Sequence, residues 1–419
     1  MITQKEEKFL VSLINKYNNN CNPPSKNQYP LLENGFAADD ILKGIEILLS
    51  GKITMSSITK KFENEFSKFV GSKYSLMVNS GSSANLLALQ CLINPYRKKR
   101  LKRGDEVIVP SLCWSTSLWP IVQSGLKPVF VDINISTLNI DLNDLKKKIN
   151  KKTKAILLVH VLGNCTDMSE LMKIKKKNNL FLIEDTCESL GSKYDNRYLG
   201  TFGDFSSFSF YASHQISSGE GGMLCCKDAD DYEIIKSLRS HGWSRGLKKE
   251  KIIASRNKTL DKRFIFYNSG FNLRPTDITA SIGHSQFKDL DKFIIARALN
   301  RESIKKEFYK NKKIKKYIHI IEKTNNTKPS WFGIPMLISN KIKKSQFINK
   351  IEKLGIETRP IISGNFLKQP SIKKYKLNTH KIFKNADVIN KCGFFIGLPT
   401  SKISHYTIKK MVNIFEKSL

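Results

Sequence analysis

Between about residues 70 and 230, short apolar runs alternate with amphipathic segments. The runs are SLMV (75–78), EVIVP (106–110), KPVFVDI (127–133), KAILLVHV (154–161), LFLIEDT (180–186), FSSFSFY (205–211) and GMLCCK (222–227). Strand-length runs of this kind, separated by helical periodicity, predict an α/β fold with a large, mostly parallel sheet covered by helices. Residues 239–270 break the pattern with HGWSRG and KKEKIIASRNKTLDKR, which predicts an exposed excursion over an active site or at a subunit boundary. From about 286 onward, Lys-rich amphipathic segments alternate with short strand candidates such as WFGIPMLI (331–338), and a smaller C-terminal α+β domain is expected. The pattern divides the chain into an N-terminal helical segment (1–30), a large ligand-binding domain (31–285) and a small domain (286–419).

With 419 residues, 40% of them hydrophobic, the chain can bury a large core. Its 71 Lys and Arg against 37 Asp and Glu give a formal charge of +34. The lysines recur along the whole chain among Asn and Ile instead of gathering in one tail. Compositional bias, with some pull on small anionic substrates, therefore explains the charge better than a nucleic-acid partner does. The eight cysteines form no CxxC and no paired metal spacing, which fits reduced thiols and a cytoplasmic location. No apolar stretch approaches the roughly 18 residues of a membrane span, and no targeting segment is visible.

Three places carry candidate chemistry. SLMV runs into Asn79-Ser80-Gly81-Ser82-Ser83-Ala84 and then a helical pattern, so small residues and free amides can form an anion nest. Many strand-to-helix turns are Ser/Gly-rich without binding anything. Asp185 ends an apolar strand, where a carboxylate can pair with a protonated pyridine nitrogen; a helix cap or solvated strand end explains it equally well in isolation. FSSFSFYASHQISSGEGG (205–222) breaks from a strand into a Gly-rich loop that lets backbone approach a ligand.

These pieces, in this order and with KPVFVDINISTLNIDLNDL, VHVLGNCTDM, GEGGM, GFNLRPTDITASIG and FFIGLPT, resemble the DegT/DnrJ/EryC1/StrS sugar aminotransferases. The resemblance runs from about residue 40 to 410. It implies the aspartate-aminotransferase (type I) fold and pyridoxal 5'-phosphate or pyridoxamine 5'-phosphate as cofactor. By the same resemblance Ser82, Ser83 and Ser209 hold the cofactor phosphate, Trp114 stacks on the ring, and Asp185 pairs with the pyridine nitrogen. Glu188 stands where most of the family has Gln beside the ring. Asn272 stands where a residue of the neighbouring subunit reaches the phosphate, which implies a homodimer with shared active sites.

The family's lysine is replaced by His214, and no lysine lies between Gly200 and Cys226. Imidazole cannot tether the cofactor covalently, but with a reference pKa of about 6.5 it can move protons near neutrality. This exchange, with GIETRPIISGNFLKQP (355–370) and SWFGIP (330–335), resembles the family's nucleotide-sugar 3-dehydratase branch. His214 is then the base at the cofactor C4′ carbon while the C3 hydroxyl of a nucleotide-linked 4-keto-6-deoxyhexose leaves. His241, Arg359 and Asn365 are candidate substrate contacts. One class of the branch carries an iron-sulfur cluster on cysteines clustered after the histidine, whereas residues 227–391 contain no cysteine. The cluster-free class remains, with no metal, ammonia release, and glutamate restoring the amino form of the cofactor. The alternatives are a nucleotide-sugar aminotransferase that works without lysine and a catalytically silent nucleotide-sugar-binding homologue. The residues leave the nucleotide and hexose open, and Thr54 is followed by Met55 where the family usually has Gly.

Overall fold

A computed structural model describes residues 3–21, 29–31, 35–54, 56–377 and 382–419. Seven strands build the main sheet: β1 (Tyr74–Val78), β2 (Glu106–Pro110), β3 (Lys127–Val131), β4 (Thr153–Val159), β5 (Phe181–Asp185), β6 (Phe205–Ser209) and β7 (Gly222–Cys226). Their order is β1-β7-β6-β5-β4-β2-β3, and β7 alone runs against its neighbours. All seven apolar runs therefore become strands of one sheet. They were legible because a parallel sheet is covered on both faces, so its strands need apolar residues without alternation. Leu76, Val107, Leu157 and Ile183 pack toward one face, while Ile108, Ile156, Leu158 and Leu182 pack toward the other. Cys225 and Cys226 are buried in β7, as strand filling requires.

Helices α1 (Gln4–Cys21), α2 (Ala38–Ser50) and α3 (Ser57–Val70) precede the sheet. α4 (Gly81–Leu92) follows β1, and α5 (Ser115–Gln123) follows β2. α6 (Asp277–Phe287) lies against α2 and α3, and its Thr276 cap accepts the Thr279 N–H at 3.2 Å. α7 (Leu290–Lys310) leads to a second sheet of β8 (Ile318–Ile320), β9 (Gly333–Ile338), β10 (Thr358–Arg359) and β11 (Gly393–Gly397), in antiparallel order β8-β9-β11-β10. Phe308, Phe347, Phe394 and Phe415 fill its core. Tyr29 also joins it, donating its hydroxyl to Gly397 O at 2.8 Å.

The excursion at 239–270 is more structured than its polarity suggests. It contains a helix, Glu250–Arg256, over a small cluster of Leu247, Ile253 and Ile265. Three apolar residues spaced far apart give no periodic signal, which is why this packing was not expected. Among the described residues no helix is long and apolar enough to cross a membrane, and no three His, Cys, Asp or Glu side chains gather as metal ligands.

Candidate active site

The carboxyl edge of a parallel sheet is where loops diverge and ligands bind. Here β1, β2, β5 and β6 all deliver residues to one cavity of about 600 Å³. Its wall includes Ser80, Gly81, Ser82, Trp114, Asp185, Glu188, Ser209, His214 and Arg359.

The β1–α4 turn supplies the first wall. Ser80 caps α4 by accepting the Ser83 N–H at 3.1 Å, which leaves the opening amides of the helix directed outward. Ser82 Oγ pairs with Thr116 Oγ1 at 2.8 Å. Ser83 is buried, with its hydroxyl 3.0 Å from Ser80 Oγ, and is not part of the wall. A Cβ at Gly81 would stand 2.7 Å from both Cys187 Sγ and Ser209 Cβ, so only glycine lets the loop close against β6. Ser209 ends β6 beside this turn and accepts the Tyr211 N–H at 3.3 Å. Small hydroxyls around a helix N-terminus form a phosphate cradle.

Asp185 forms the second wall. Its carboxylate accepts Asn85 Nδ2 and Ser117 Oγ, each at 2.8 Å, and the Cys187 N–H at 3.3 Å. Asn85 and Ser117 are fully buried, so both bonds to this carboxylate are shielded from bulk water. Trp114, at the start of α5, leaves 58% of its surface exposed at the cavity mouth and offers a ring face.

Glu188 and His214 form the third wall. Glu188 accepts the Leu162 N–H at 2.9 Å, and Leu162 adopts φ 51° to present it. Burial pushes the Glu188 carboxyl up to about 7; the Leu162 bond opposes the rise and the charge of Asp185 adds to it. His214 follows β6 and meets the Phe332 ring edge-on at 5.2 Å. Burial, reinforced by the Arg297 charge, pushes the imidazole down to about 3. The reference value of about 6.5 therefore does not hold at this position: His214 is neutral near pH 7, and intrinsically a weaker base than a solvated imidazole.

A phosphate cradle, a carboxylate held by two buried donors and an aromatic face fit a phosphorylated pyridine, and no lysine lies among the described residues of the wall. The sequence matches the DegT/DnrJ/EryC1/StrS aminotransferase family over residues 37–415. The chain belongs to this family. It is 39% identical over 376 residues to the GDP-4-keto-6-deoxy-D-mannose 3-dehydratase of Escherichia coli O55:H7, covering 88% of this chain and 95% of that protein. An E. coli GDP-4-keto-6-deoxy-D-mannose-3-dehydratase solved with bound hydrated PLP superposes with a TM-score of 0.85 at 37% identity, covering 92% of this chain and 99% of the other. A GDP-4-keto-6-deoxymannose-3-dehydratase with a trapped PLP-glutamate geminal diamine gives 0.85 at 36% identity, covering 92% and 100%. The chain has the aspartate-aminotransferase fold of its relatives, and its cavity fits the pyridoxal phosphate that the two solved dehydratases hold.

Three expected contacts stand apart from the cavity wall. Asn272 is exposed, pairs its backbone with Ser240, and accepts Arg274 Nε at 3.0 Å. His241, at φ 59°, lies 4.9 Å from the Trp243 ring in the same patch. Asn365 is buried, caps a short turn and donates to Asp387 at 2.8 Å. Arg359 does reach the wall and is the one cation among its described residues. Asn85, Ser117, Thr116 and Arg297 were missed. The available signal was a lone Asn within the apolar run NLLALQCL, a place where a polar side chain needs a buried partner.

Proposed function

We propose that this chain is a pyridoxamine-phosphate-dependent, iron-sulfur-free 3-dehydratase acting on GDP-4-keto-6-deoxy-D-mannose. The observation that carries this reading is His214 in the same cavity wall as a hydrogen-bonded Asp185, with no lysine among the described residues of that wall. The opening amides of α4, with Ser82 and Ser209, would hold the cofactor phosphate, Asp185 its ring nitrogen and Trp114 one ring face. The bound pyridinium supplies an electron sink. His214 takes the proton from the cofactor C4′ carbon as the C3 hydroxyl departs. Phosphates and carboxylates entering the cavity bring negative charge, which raises the imidazole pKa and strengthens it as a base.

Arg359, the one cation among the described residues of the wall, suits a carboxylate of glutamate, the amino donor that restores the cofactor. The patch of half-buried His241, Trp243 and Arg274 with exposed Asn272 suits contact with a second subunit, whose site Asn272 would complete. A homodimer with shared sites in the cytoplasm accords with the free thiols of the described cysteines.

Incubation with pyridoxamine phosphate and GDP-4-keto-6-deoxy-D-mannose, without any reductase, should release ammonia and give a 4-keto-3,6-dideoxy product by mass spectrometry. A 4-amino sugar with its C3 oxygen intact would establish transamination instead.

A further inference from the structure

A second, smaller space of about 40 Å³ shares His214 with the main cavity and is bounded also by Gln215, Arg297 and Thr400. Three polar atoms of its lining residues are buried without a partner: His214 Nδ1, Gln215 Oε1 and Arg297 Nη1. The Gln215 and Arg297 side chains are otherwise committed. Gln215 Nε2 donates to Glu188 O and to Ser330 O, the latter at 3.2 Å, which orients the amide so that Oε1 is its free end. Arg297 donates Nε to Leu398 O at 3.1 Å and Nη2 to His214 O at 3.4 Å, leaving Nη1. Gln215 and Arg297 are only 2% and 3% exposed, so bulk solvent does not satisfy them. A buried water needs roughly 10–15 Å³ and two to four polar partners; the space has the volume, and its lining residues carry three such unpartnered atoms.

We propose that the space is a water-binding site behind His214 that can accept a hydrogen bond from Nδ1 and so support the Nδ1–H tautomer. A guanidinium only donates and an amide oxygen only accepts. A water bound to both therefore keeps one lone pair and one hydrogen for other partners. Removal of a proton in the main cavity requires the lone pair of Nε2, a clause that rests on the proposed function. The neutral ring then carries its proton on Nδ1 and donates it to the remaining lone pair of the water. Arg297 is thus a positioning residue. It holds the water, the water accepts from Nδ1–H, and the guanidinium charge resists formation of imidazolium before substrate arrives.

The test is nitrogen-15 NMR of the full-length chain labelled at its seven histidines, at pH 7, with the His214 signals assigned by their loss in His214→Asn. The wild type should show a neutral ring protonated on Nδ1. Arg297→Met should shift the population toward the Nε2–H form and lower kcat about tenfold with little change in KM, and Arg297→Lys should recover much of both. An Nε2–H ring in the wild type overturns the proposal, and this outcome can be read even if Arg297→Met does not fold. A tautomer unmoved in folded Arg297→Met overturns it as well. Full dehydratase activity in His214→Asn would instead defeat the functional reading, while the tautomer measurement would still decide the water site.

Discussion

The Asp185 wall and the His214 wall face one cavity and are built in opposite ways. Asp185 receives two buried side-chain donors at 2.8 Å and a third, Ser207 Oγ, at 3.5 Å. His214 has an edge-on aromatic neighbour, a buried nitrogen without a protein partner and a cation behind its backbone. On the proposed function, the group that must keep its charge and place is given hydrogen bonds, and the group that must exchange a proton is left with few, so that its protonation can change within a turnover.

The largest effect expected from breaking this contrast is on the His214 side. His214→Asn should lower dehydration by about 10²–10⁴-fold, the usual contribution of a positioned proton-transfer group, measured in a single turnover with pyridoxamine phosphate. His214→Lys should suppress dehydration equally while retaining pyridoxal phosphate covalently through dialysis. On the Asp185 side, Ser117→Ala should weaken cofactor binding by about tenfold or more, since a hydrogen bond to a charged group is worth about 1.5–3 kcal/mol; a spectral titration measures it. Gly81→Ala forces a Cβ against Cys187 and Ser209 and should cost about 1–3 kcal/mol of stability by urea unfolding.

The smallest effect concerns pH. The folded chain holds the Glu188 proton up to about 7, above the ordinary 4.5. Ionising the carboxyl as pH climbs through that window therefore erodes stability. His214 has the opposite sign: it is held neutral down to about 3 from an ordinary 6.5, so stability falls as acid protonates the unfolded chain first. Urea midpoints from pH 5 to 8 should decline less steeply in Glu188→Gln than in the wild type. An unchanged slope would remove Glu188 from this account.

Much of this contrast is written locally in the sequence, and the rest is not. The phosphate turn, Asp185 and His214 are legible because a nest, a strand-end carboxylate and a replaced lysine are each defined by neighbours in the chain. Asn365 shows the limit of that kind of reading. It stands in a segment that resembles the dehydratases, yet its side chain caps a turn and holds Asp387. His241 and Asn272 share a patch away from the wall, a placement that chain spacing does not encode.

The sequence alone determined the seven strands, the small-residue turn after β1 and the histidine in place of a lysine, because each depends on short-range periodicity or on residue identity. Tertiary structure alone decided what supports each wall. Asn85 and Ser117 reach Asp185 across 100 and 68 positions of chain, and Arg297 reaches His214 across 83. Hydrogen-bond partners at such separations are set by sheet register and helix packing, and burial shifts a pKa only once the whole fold has removed the water.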